Sequence, residues 1–121
     1  MASVVSLVWT AEIEARTTCK AWEKPEAIGN IGIRALDETS GMVASRKQND
    51  LIWLHNDSGD HARVFALSQK GTYLGEWKLE GIEARDWEDI AMGPCPGDSG
   101  DCLWIADTGN NTLIRETLTV H

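Results

Sequence analysis

The sequence predicts an all-β chain, and it does so on three observations. Apolar runs are short, rich in aromatic and branched residues, and closed by Gly, Asp or Asn, a pattern that favours strands over helices. One such run, Leu51-Ile52-Trp53-Leu54-His55-Asn56-Asp57-Ser58-Gly59-Asp60, returns as Cys102-Leu103-Trp104-Ile105-Ala106-Asp107-Thr108-Gly109-Asn110-Asn111. Each copy reads as a buried strand that carries a Trp and ends in an Asp-Ser/Thr-Gly turn. Residues 42–79 also hold four strand-like runs separated by polar turns, the size of one propeller blade.

In chain order, residues 4–13 read as a strand and residues 17–30 as irregular, with Trp22, Pro25 and Gly29 in no clear period. Alternation at Ile31, Ile33 and Ala35 predicts a short strand or extended approach before a turn at 37–41. The first unit then has strands at 42–45, 51–55, 63–68 and 73–79. A second unit begins near Trp87, with strands at 89–92, 102–106 and 118–121. It is one strand short of the first, and residues 4–13 are the obvious supplier, from the same chain or a neighbour, because an unpaired edge invites strand addition. The organisation expected is a single domain over 1–121, with an N-terminal segment at 1–36 and blade-like units at 37–81 and 82–121.

A chain of 121 residues fits one domain. Its formal charge of −8 argues against a nucleic-acid surface, since phosphate binding rests on clustered Lys and Arg. No run approaches the roughly 20 apolar residues of a spanning helix, and residues 4–9 lack the basic flank of a secretory signal. The chain is therefore expected to be soluble, with no membrane partner.

Cys95 and Cys102 flank Pro96-Gly97-Asp98-Ser99-Gly100-Asp101, a turn-rich stretch between strand-like runs, so a disulfide is expected there. The spacing does not suit zinc. Cys19 reads as a small core residue. A disulfide points to an oxidising compartment for the protein or its ancestors, which leaves present localisation open.

The stretch 38–121 resembles a family of bacterial β-propeller proteins of mostly unassigned function. The resemblance is carried by Glu38-Thr39-Ser40-Gly41, Trp53 through Gly59, Asp86-Trp87-Glu88-Asp89-Ile90-Ala91, Cys95 through Cys102, and Ala106-Asp107-Thr108-Gly109-Asn110-Asn111. It implies blades like the first unit, with acidic turns gathered at one end of a central channel, and exported ancestry. Two blades cannot close a ring, so association of copies is expected, with a trimer supplying six blades.

Function is expected at the turns. His55, Asp57, Asp60, Asp86, Glu88, Asp107 and Asn110 form the expected ligand-binding set, and Asp57, Asp89 and Asp107 the expected metal ligands. Calcium is the cofactor considered, because it prefers hard oxygen donors. Alternation would put Asp86 and Glu88 on one strand face and Trp87 and Asp89 on the other. The Asp-Ser/Thr-Gly strings also match the aspartic-protease signature, but Asp60 and Asn110 follow them and the copies lie too close for two lobes. Trp53 and Trp104 are expected in the core. The reading is a binding or scaffolding protein. Its alternatives are a hydrolase using carboxylates and His55 at a channel mouth, and a carbohydrate-binding module that stacks sugars on Trp.

Overall fold

The computed structural model describes residues 21–121, and the strand expected at 4–13, Trp9 and Cys19 lie outside them. The described residues form two antiparallel sheets and no helix. The first holds β1 (Thr39–Ala44), β2 (Ile52–Asn56), β3 (Arg63–Leu67) and β4 (Tyr73–Lys78), each beside its sequence neighbour. The second holds β5 (Trp87–Pro94), β6 (Asp101–Asp107) and β7 (Thr119–Val120) in the same order. Among the described residues, no helix is long and apolar enough to cross a membrane.

Of the short strand or extended approach that alternation suggested at residues 31–35, the strand does not form. The run closes into a turn, with Leu36 N donating to Ile33 O at 3.2 Å, and serves as a strap over the first sheet. Ile33, Ala35 and Leu36 cover Leu54, Phe65, Leu67 and Ile52 there. The strap crosses the β3–β4 turn with backbone against backbone, because a Cβ on Gly29 would strike the Lys70 carbonyl and one on Gly71 the Asn30 carbonyl. Only glycine permits such an approach.

The opposite face of the first sheet packs on the second. Val43, Trp53 and Val64 meet Trp87, Ile90, Ile105 and Leu103, and Trp77 lies edge-on to Trp53 with ring centroids 5.2 Å apart. Burying a side chain of this kind contributes roughly 1.5–3 kcal/mol, so this layer holds the two sheets together. Trp53 thus joins the core as its sequence setting suggested. Trp104 belongs to neither apolar cluster.

The first strand of each sheet carries a β-bulge near its start. In the first sheet Thr39 pairs with Asn56 and Gly41 with His55, leaving Ser40 as the extra residue. In the second, Trp87 pairs with Asp107 and Asp89 with Ala106, leaving Glu88. A bulge inserts one residue and re-aims its neighbours. Residues 39–41, expected in a turn, therefore belong to β1. Simple alternation also fails at β5, where Trp87 is buried and Asp89 exposed. Cys95 and Cys102 are disulfide-bonded across the β5–β6 connection, with Cα atoms 5.0 Å apart.

Candidate metal centre

Three carboxylates meet where the two sheets join. Asp57 follows β2, Asp86 precedes β5, and Glu88 is the bulged residue of β5; one oxygen from each lies within 4.8 Å of the others. Backbone contacts set their positions. Asp57 N donates to Glu38 O at 2.8 Å, and Ser40 Oγ donates to Glu88 O at 3.0 Å, tying the β5 bulge to the β1 bulge. Gly109 N donates to Asp86 O at 3.0 Å. A Cβ on Gly109 would strike the Asp86 carboxyl and Glu88 Oε1, so glycine there leaves the space in which the two acids converge.

The charges of these acids are poorly matched. Asp57 Oδ1 accepts from Ser58 N at 2.6 Å, and Asp86 Oδ2 accepts from Asn111 Nδ2 at 3.3 Å. Asp86 is buried, and its Oδ1 has no hydrogen-bond partner among the described residues. Among the described residues, no Lys, Arg or His is ion-paired with any of the three. Unit charges this close repel by about 1 to 4 kcal/mol per pair, depending on the effective dielectric.

Asp107 lies beneath this group and holds it. Its carboxylate accepts from Arg85 N at 3.2 Å and from Asp86 N at 3.0 Å, which fixes the backbone that delivers Asp86. Arg115 Nη2 approaches Asp107 Oδ1 at 2.6 Å, and both side chains are almost fully buried. Burial opposes the charge of Asp107, but the Arg115 hydrogen bond, the two amides and the guanidinium's attraction prevail and hold its pKa below the usual carboxylate value. Arg115 also donates to Gly109 O at 2.9 Å and Thr117 O at 2.8 Å. Through these bonds it braces the loop after β6.

Asn56 plays the corresponding part in the first sheet. Its Nδ2 donates to Ala35 O at 2.7 Å and to Asp60 Oδ2 at 2.9 Å, holding the approach to β1. Asp60 pairs with Arg63, whose Nη2 lies at 2.9 Å. Burial of Asp60 again opposes its charge, and bonds from Arg63, His61 N and Asn56 overcome it, leaving its pKa lowered.

The residues expected at the site thus fall into distinct places. Asp57, Asp86 and Glu88 come together. Asp60 is engaged with Arg63, and Asp107 supports the group from below. Asn110 sits at the rim, its Oδ1 accepting from Arg115 N at 3.0 Å. Asp89 is exposed and accepts from its own neighbour, Ile90 N, at 2.8 Å. His55 is fully buried, stacked edge-on to Trp87 at 5.5 Å and pressed against Gly41, so it offers no acid or base to a ligand at the turns.

Sequence reasoning passed over Ser40 and Arg115. Arg115 had a visible signal: it is the only Lys or Arg after Arg85, and a buried Asp needs a cationic partner.

A polar cavity of about 160 Å³ opens beside the carboxylates, lined by Ser58, Arg85, Asp86, Asn110, Asn111 and Arg115, among others. Calcium suits this donor set, because oxygens bound to one ion at 2.3–2.6 Å stand no more than about 5 Å apart. Asp57, Asp86 and Glu88 meet that limit. No family model, curated protein or solved structure matches the chain.

Proposed function

We propose that this chain is a binding or scaffolding protein of β-propeller type that takes calcium at Asp57, Asp86 and Glu88 and a small polar ligand, such as a sugar, in the adjoining cavity. The observation that carries the reading is the convergence of three carboxylates, one of them buried with an oxygen unpartnered among the described residues. A divalent cation would supply the missing counter-charge and fill its remaining coordination with water or ligand hydroxyls. Asn110, Asn111 and Ser58 on the cavity wall offer amide and hydroxyl groups to such a ligand.

Two blades related by their bulged first strands support the propeller reading. Their matching registers place Asn56 and Asp107 at the same position, each holding the approach to its own first strand. The site sits where the turn after one blade's second strand meets the start of the next blade, so it depends on both.

The test is a thermal melt with and without calcium. A cation that binds the folded state alone raises the melting temperature by mass action. Millimolar calcium is expected to raise it in the wild type and to have no effect in Asp86→Asn. Melting that is unmoved by calcium in the wild type would remove the metal from this account.

A further inference from the structure

The contact between the two sheets joins unlike faces. The first sheet contributes the side that carries Val43 and Trp53, and the second contributes the side that carries Ile90 and Ile105. In the shared register, Met42 pairs with Leu54 as Ile90 pairs with Ile105, while Val43 pairs with Trp53 as Ala91 pairs with Trp104. A Trp face has therefore docked on an aliphatic face, and among the described residues one face of each kind is left over.

These remaining faces lie on opposite sides of the molecule. On the second sheet, Ala91, Trp104, Ala106 and Val120 share the side turned away from the first sheet, and Val120 is 57% exposed. On the first sheet, the strap covers Leu54 and Phe65 but leaves Met42 62% exposed, whereas its counterpart Ile90 is only 4% exposed. Met42, Ile28, Ile31 and Ile52 border an apolar cavity of about 290 Å³ between strap and sheet. One chain cannot bring its own two outer faces together.

We propose that the second occupant of each face is another copy of this chain, docked head to tail, with Trp104 of one copy entering the Ile28–Ile31–Met42 cavity of the next. The internal sheet contact is the pattern for this one: the residues that meet inside the chain, Trp53 and Ile90, correspond to the two left apolar at its outer faces, Trp104 and Met42. Such a contact is heterologous, so it extends from copy to copy and ends only by closing a ring. Closure at three copies would match the six-blade expectation. The proposal stands apart from the cation site, because none of its residues belongs to the carboxylate group.

Light scattering on a size-exclusion column tests it, with Cys19→Ser in every chain so that mass reports non-covalent association. The parent is expected at a multiple of the chain mass. Met42→Asp and Trp104→Asp are each expected as single chains, because each loses one of the two complementary faces. Mixed in equal amounts, they are expected to give a two-chain species, since the intact Trp104 of the first can dock on the intact Met42 of the second. Should Trp104→Asp lose its β signal in circular dichroism, Ala91→Arg carries that arm, as Ala91 is exposed on the same face. A parent that stays single at every soluble concentration, folded variants that keep the parent's mass, or a mixture that yields no two-chain species would each overturn the proposal.

Discussion

Replacing Asp107 with Ala should destabilise the protein far more than the loss of a surface acid would. The substitution strands the Arg115 guanidinium, whose side chain is only 4% exposed, and leaves the amides of Arg85 and Asp86 without their acceptor. Removing one partner of a buried pair costs about 3–5 kcal/mol, because the other charge stays buried and uncompensated. Against a total stability of about 5–15 kcal/mol this is a large share. At roughly 4 °C per kcal/mol it corresponds to a fall of about 12–20 °C in melting temperature. Urea unfolding followed by Trp fluorescence reads the same loss, with Trp87 as a buried reporter. Adding Arg115→Met removes the stranded charge and should recover about 1–2 kcal/mol of the deficit. A loss below about 1 kcal/mol for Asp107→Ala, the range of exposed ion pairs, would refute the claim that Asp107 and Arg115 brace the site.

Other consequences follow from the same contacts. Because Asp107 and Asp60 have lowered pKa values in the folded state, their contribution to stability is present above the ordinary Asp pKa of about 3.9 and is lost as pH falls through the depressed values. Melting temperature should therefore drop below about pH 4, and less steeply in Asp107→Asn than in the wild type. Gly41→Ala drives a methyl group into the buried His55 ring and should cost about 1–3 kcal/mol in urea unfolding, as overpacking does. Gly109→Ala pushes into Asp86 and Glu88, so it should abolish stabilisation by calcium. Replacing Cys95 and Cys102 with Ala opens a loop closed at a sequence separation of 7 and should cost roughly 2.5 kcal/mol by chain entropy.

Much of the fold was legible in the sequence because strands write their alternation locally. The runs at Ile52–Asn56, Arg63–Leu67 and Tyr73–Lys78 fall within a residue of where apolar alternation and Gly-containing turns put them, and the short Cys95–Cys102 connection announced its disulfide. The bulges were not legible, because Ser40 and Glu88 are extra only relative to a partner strand distant in sequence. The strap was misleading for a related reason: Ile31, Ile33 and Ala35 alternate like a strand, but the turn at Ile33 and Leu36 and the contacts of Leu36 with the first sheet decide their fate.

The candidate site was legible in part. Asp57, Asp86 and Glu88 were all within the residues expected to bind a ligand, but the grouping into three depends on the bulge and on Gly109. Asp57-Ser58-Gly59 and Asp107-Thr108-Gly109 look alike as strings, yet the structure puts Asp107 in register with Asn56. Their carboxylates consequently differ in role, one at the carboxylate group and one in a buried ion pair.

The most direct measurement is terbium luminescence excited through tryptophan, since Trp87 sits between Asp86 and Glu88 in the chain and a lanthanide takes the oxygen ligands that calcium takes. The account predicts sensitised emission from the wild type that calcium displaces, and none from Asp86→Asn. An absence of emission from the wild type, or emission that persists unchanged in Asp86→Asn, would contradict a cation site at these three carboxylates.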